Sequence, residues 1–225
     1  MKEPQPSLDL YLIRHEISEM NLYPHIVCGR SDDTPLIPEG ERRASLIGGG
    51  LRALNVWPDL AETSPALRAR QTGNCALRAM GYRGELLINP DLQELDQGDW
   101  QGRERKKTYG NPLFMARIAI KRRGFRPPNG ESMDDVLARG WNFLHTKEDI
   151  MAKPDGLPQT ELAFTHGQFT RILVGDILSW STKKVLDSRQ TPNGSLTLLR
   201  LRGDEWSVPF VGKSPGELLS ASWKP

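Results

Sequence analysis

Leu8-Asp9-Leu10-Tyr11-Leu12-Ile13-Arg14-His15 is a short apolar run that ends on an arginine and a histidine. A run of this length reads as a buried strand, and the histidine then stands where strand gives way to loop, the place where α/β proteins build their sites. Residues 162–165 form a second such strand, and it ends on His166. The chain has only four histidines, so two at strand ends point to a histidine nucleophile in a positively charged pocket that handles phosphate.

The rest of the pattern alternates. Pro35, Pro38 and Gly40 mark a loop, after which Ala44, Ile47, Leu51 and Leu54 share one helical face, despite the unfavourable Gly48-Gly49-Gly50 run. Leu60–Thr63 reads as a strand closed by Ser64-Pro65, and the segment to about Met80 carries a helix with Ala69, Thr72, Ala76 and Met80 inward. Residues 85–88 are a strand candidate and 96–102 a loop. Met133, Val136, Leu137, Trp141 and Leu144 recur at helical spacing behind Ser132 as a cap. Phe169, Ile172, Leu173, Ile177 and Trp180 form another helical face, and residues 195–201 and 206–211 pair around Gly203-Asp204. Strands alternating with helices predict a layered α/β sheet. A chain of 225 residues fits one domain spanning 1–225, with an insertion at about 103–128. From 213 to 225 the periodicity is lost, and the tail reads as a loosely attached arm.

No apolar stretch approaches the roughly 20 residues needed to cross a bilayer, and residues 1–7 lack a signal architecture, so a soluble cytoplasmic protein is expected. Cys28 and Cys75 are too few and too isolated for a disulfide framework or a metal site, and both read as packing residues. No HExxH or paired Cys/His ligand motif occurs, so neither a metal nor a cofactor is expected. The formal charge of +2 conceals an asymmetry: residues 103–126 carry +8 and the remainder −6. Such a segment either binds a second anionic group of a ligand or forms a solvated basic face anchored by Phe114, Met115, Ile118 and Ile120. No nucleic-acid-binding motif accompanies the charge, and no nucleic-acid or membrane partner is expected.

Phosphoryl transfer through histidine requires an imidazole lone pair, fixed positive charge and a proton donor. His15 is the candidate imidazole, Arg14, Arg68 and a protonated His166 the candidate charges, and Glu94 the candidate acid, with Asp96 and Asp99 as competitors. Arginine suits the task because its planar fork holds two phosphoryl oxygens at once.

Six blocks occur in order: Leu12-Ile13-Arg14-His15, Gly29-Arg30-Ser31-Asp32, Thr63-Ser64-Pro65 with Arg68-Ala69-Arg70-Gln71-Thr72, Leu92-Gln93-Glu94 with Gly98-Asp99-Trp100-Gln101-Gly102, Asn129-Gly130-Glu131-Ser132, and Thr165-His166-Gly167. In this order and over about residues 8–201 the chain resembles the histidine phosphatase superfamily, the phosphoglycerate mutase-like proteins. The resemblance implies a three-layer α/β/α sandwich with a mostly parallel central sheet and a small basic capping insertion. It implies that His15 is phosphorylated, that Arg14, Arg68 and His166 form the phosphate pocket, and that Glu94 is the proton donor. Asn21, Arg30 and Ser18 are then substrate-binding residues at the mouth, and Gln71 and Thr72 pack behind. The block spacing favours Glu94 over Asp96 and Asp99.

Two positions depart from the usual pattern, in which glycine and then an acid follow the histidine. Here Glu16 takes that place, and Ile17 replaces the usual acid. A carboxylate facing the anion site lowers phosphate affinity and raises the His15 pKa. The reading that follows is a cytoplasmic phosphomonoesterase acting on a small phosphorylated metabolite. A phosphoglycerate mutase-like phosphotransferase and a weakly active phospho-ligand-binding protein are the alternatives, and the sheet edge offers a surface on which two subunits can pair. His25, His145 and Trp100 are expected to be structural.

Overall fold

The structure, a computed structural model, describes residues 7–151 and 160–221. Ser7–Arg14 forms strand β1, and its alternation shows in what it buries: Leu8, Leu10 and Leu12 enter one apolar cluster, Tyr11 and Ile13 another. Burial on both faces places it inside the sheet. Pro38–Ala53 is helix α1, followed by Leu60–Thr63 (β2), Leu67–Met80 (α2) and Leu86–Ile88 (β3). Arg105–Tyr109 (α3) and Pro112–Lys121 (α4) build the insertion. Met133–Met151 (α5) starts at the Ser132 cap, whose hydroxyl accepts from the Asp135 amide. Thr160–Thr165 (β4), Gly167–Ile177 (α6) and Thr182–Leu186 (α7) follow, then the hairpin Leu196–Arg202 (β5) and Glu205–Lys213 (β6), and finally Pro215–Ser220 (α8).

The sheet order is β3-β2-β4-β1-β5-β6, parallel from β3 to β1 and antiparallel through β5 and β6. One face buries Ile47 of α1, Ala76 of α2 and Leu218 of α8; the other buries Val136 and Phe143 of α5 with Phe169 and Leu173 of α6. The expected α/β/α sandwich is therefore the observed one. No helix among the described residues is long and apolar enough to cross a membrane.

The glycine run does not break α1. A Cβ at Gly48 would lie 2.0 Å from the Ala76 carbonyl, so glycine here lets α1 and α2 approach to backbone contact. Two expectations are corrected. Residues 214–221 are no loose arm: Ser214 caps α8 in a capping box, and Leu218 is buried against α1's side of the core; the rest of the expected arm, 222–225, lies outside the described residues. In the insertion, Phe114 and Phe125 stack on buried Trp100 with ring centroids 5.3 and 5.4 Å away, but Met115 and Ile120 are 45% and 81% exposed and anchor nothing. The aromatic contacts with Trp100 supply the anchor instead.

Behind the sheet, Lys147 of α5 is buried between Glu62 of β2 and Glu161 of β4, with a 3.0 Å ion pair to the latter. Burial and the shared bond with Glu62 hold the Glu161 carboxyl well above its ordinary value.

Candidate active site

Strand register assembles the centre. β1 and β4 are adjacent and parallel, Arg14 stands opposite Thr165, and the His15 amide donates to the Thr165 carbonyl (2.9 Å). His15 and His166 therefore leave the sheet side by side, ring centroids 5.2 Å apart. β2 flanks β4 and delivers Ser64, whose hydroxyl lies 2.8 Å from His166 Nε2. All three residues sit at the carboxyl ends of parallel strands.

Arg68, in the first turn of α2, is buried beneath both imidazoles. Its Nε donates to His15 Nε2 (3.2 Å), its Nη1 to the Ser31 carbonyl (2.7 Å), and its Nη2 to the Arg30 carbonyl (2.8 Å) and to His166 Nδ1 (3.2 Å). A guanidinium only donates, so the facing imidazole nitrogens are both acceptors. His15 then carries its proton on Nδ1, which donates to the Glu16 carbonyl (2.7 Å), and His166 carries its proton on Nε2 toward Ser64. Burial first, and Arg68 next, holds both well below the ordinary histidine value. His166 is thus a neutral hydrogen-bond partner of Arg68, which corrects its assignment as a cation.

The sign of this shift is testable. Both imidazoles stay neutral as pH falls through the unfolded value of about 6.5, so proton uptake on unfolding weakens the fold below that pH. Nitrogen-detected NMR titration is expected to show the Nδ1–H form of His15 and the Nε2–H form of His166 unchanged from pH 8 to about 5.5. An imidazolium signal from either ring above pH 6 contradicts the arrangement.

Arg14 is half-buried, donates from Nη1 to the Thr191 carbonyl (2.7 Å), and leaves its Nε without a partner. Burial pulls its pKa down to about 10, which leaves it charged at neutral pH. The sequence reading missed Arg171 on α6, which donates to the Thr191 hydroxyl (2.8 Å) and the Val185 carbonyl (2.8 Å). An arginine inside the otherwise apolar run of α6 was the available clue. Thr191 ties the two arginines together.

Glu94 is fixed by backbone. Its Oε1 accepts from the Leu95 and Phe169 amides (3.0 Å each) and its Oε2 from the Gln168 amide (3.1 Å), at the N-terminus of α6 where donors point outward. It is the one carboxylate among the described residues lining a cavity of about 700 Å³ that it shares with Arg14, His15, Arg68, Arg171 and Asn21. Asp96 and Asp99 do not line it: Asp96 accepts from the Gly98 amide (2.7 Å), and Asp99 from Asn129 (3.1 Å).

Two residues expected at the mouth lie elsewhere. The Arg30 guanidinium turns away to Glu131 (2.8 Å) and Asp96 (3.6 Å), because paired carboxylates on that side compete for it. Its backbone serves the centre instead, through its carbonyl to Arg68 and its amide to Gln101 Oε1 (2.5 Å), a second residue the sequence reading missed. Ser18 is fully buried, its amide and hydroxyl both donating to Asn21 Oδ1 (2.9 and 3.0 Å), so it orients Asn21 rather than a ligand. Asn21 does line the cavity.

Glu16 faces away from the anion site. Its carboxylate pairs with Arg43 of α1 (3.2 Å), accepts from the Ile17 amide (3.1 Å), and packs on Gly194, where a Cβ would meet Oε1 at 1.9 Å. Gly194 also holds a φ of +69°, so glycine is required there twice over. Of the nine basic insertion residues only Arg105 lines the cavity; Arg123 pairs with Asp134 and Asp176, Arg126 with Asp135, and Lys107 with Glu104. Among the described residues no cluster of three or more His, Cys, Asp or Glu could hold a metal ion.

A neutral imidazole beside an immobilised guanidinium, a second arginine and one backbone-held carboxylate form a cavity fit for an anionic group undergoing transfer. The family model of the histidine phosphatase superfamily (branch 1) matches residues 10–213. A 2,3-bisphosphoglycerate-dependent phosphoglycerate mutase of Bartonella quintana is 31% identical over 190 residues, covering 81% of this chain and 87% of that protein. Among solved structures, the alpha-ribazole phosphatase of Shigella flexneri superposes with a TM-score of 0.75 at 19% identity, covering 92% of this chain and 96% of that one. The phosphoglycerate mutase of Bacillus anthracis gives 0.73 at 21% identity, covering 99% and 100%. With a family match over nearly the whole chain and a site formed at its strand ends, the chain belongs to the histidine phosphatase superfamily.

Proposed function

We propose that the protein is a phosphomonoesterase that passes the phosphoryl group of a small phosphorylated metabolite through His15, with no metal or cofactor. As the phosphoryl group enters, Arg68 Nε turns from Nε2 to a phosphoryl oxygen, and the lone pair this frees attacks phosphorus in line with the ester oxygen; the N–P bond forms as the P–O bond breaks, and Glu94 protonates the departing alcohol. Water then attacks the phosphohistidine, giving its proton to Glu94, and phosphate leaves. Arg14 and Arg68 hold the equatorial oxygens, and neutral His166 keeps Arg68 aimed. The observation that carries this reading is the contact of Arg68 Nε with the unprotonated nitrogen of a buried His15 in the cavity that Glu94 also lines. Glu16, turned to Arg43, gives no support to a weakened anion site.

The acid's role depends on the leaving group. Glu94→Gln is expected to lower kcat for a simple alkyl phosphate by about 10²- to 10⁴-fold, and to lower it far less for 4-nitrophenyl phosphate, whose phenolate needs no proton. Equal losses on both esters would remove Glu94 as the donor.

The mutase reading draws on the Bartonella relative's name. Incubation with phosphoglycerate separates the two: a phosphatase releases inorganic phosphate, whereas a mutase yields the isomeric phosphoglycerate.

A further inference from the structure

The insertion encloses more space than a phosphoryl group needs. A second cavity, of about 530 Å³, lies between α4 and the body, walled by Trp100, Met115, Ile118, Phe125, Pro127 and Met133. Met115, Ile118 and Ala119 recur at the spacing of one helical face. Of the charged and polar members of the lining, Glu131 pairs with Arg30 (2.8 Å) and Arg139 (3.3 Å), Gln97 Oε1 accepts the Tyr109 hydroxyl (3.2 Å), and Arg122 is exposed to solvent. Away from Arg122, the aromatic and aliphatic wall gives a charged or strongly polar group little in exchange for its water, and favours an apolar one.

What identifies the occupant is that this cavity adjoins the catalytic one. Gln97, Tyr109, Gln168 and Leu186 border both spaces, and the amide of Gln168 is one of those that hold Glu94. A molecule whose phosphoryl group sits at His15 has this shared wall within reach of its alcohol portion. We infer that the substrate is the phosphate monoester of an amphipathic alcohol, whose apolar body seats between α4 and Trp100. This rests on the phosphatase reading of the site and adds its substrate class. It also explains why the insertion is anchored by aromatic stacking while only one of its basic residues reaches the catalytic cavity.

The test is a series of n-alkyl phosphates from methyl to decyl, assayed on wild type and on Ala119→Trp, with calorimetric binding of the matching non-hydrolysable alkyl phosphonates. Wild-type kcat/KM is expected to rise by about fourfold for each methylene placed in the cavity, with phosphonate affinity rising in parallel. Ala119 borders the apolar cavity and not the catalytic one. Ala119→Trp is therefore expected to cut kcat/KM for the decyl ester by roughly tenfold or more while methyl phosphate turnover, which also reports correct folding, stays at the wild-type level. Turnover of all esters with no dependence on chain length overturns the inference and leaves the phosphatase reading intact. Chain-length-dependent phosphonate binding with no ester hydrolysed supports the apolar subsite and overturns the phosphatase reading.

Discussion

His15→Ala is expected to lower turnover of every phosphate monoester by about 10⁴-fold or more. The size follows from the proposed chemistry. Alanine offers no lone pair for the N–P bond, and the nearest other imidazole, His166, is fully buried and does not line the cavity. The electrostatic part of the site survives the change, because Arg68 keeps the Ser31 and Arg30 carbonyls and Arg14 keeps Thr191. The variant should therefore still bind inorganic phosphate while failing to acquire an acid-labile phosphate label during turnover. Retention of wild-type rates, or of the label, would remove His15 from the mechanism.

Arg68→Lys conserves charge and is nevertheless expected to be severe. The guanidinium makes four hydrogen bonds in one plane, to two carbonyls and two imidazoles, at 2.7 to 3.2 Å. An ammonium on a flexible stem cannot span that set. The kcat/KM for any ester should fall by about 10²- to 10³-fold. Buried acceptors left unpaired cost about 1–3 kcal/mol each, so the thermal midpoint should drop by roughly 5–10 °C. Kinetics and calorimetry on one preparation check both. A lysine variant within a fewfold of wild type, and equally stable, would show that the charge alone suffices.

The amount legible in the sequence differs by residue, for physical reasons. His15, Glu94 and Arg68 were identified because their types and order carry the chemistry, and the structure places all three on one cavity. Arg30 looked like a ligand for the same reason, but its guanidinium had nearer carboxylates in Asp96 and Glu131, residues remote enough in sequence that no local pattern announces the pairing. Ser18 failed similarly: its hydroxyl is consumed by Asn21 in a local turn. Arg171 and Gln101 went unseen because each acts by holding something else, namely Thr191 and the backbone at residues 30 and 31. Glu16 could be read either way until Arg43 on α1 was seen to take its carboxylate.

By itself the sequence determined the alternation of strands and helices, the two histidines at strand ends, and the groups proposed to transfer a phosphoryl group, since periodicity and side-chain chemistry are properties of the chain alone. Only the tertiary structure decided that β1 and β4 lie side by side in a register that sets His15 against His166, that both rings are neutral, and that an apolar cavity adjoins the polar one. Proton position and ligand shape depend on which donors and walls arrive from distant segments, and these are brought together only when the sheet and its covering layers close.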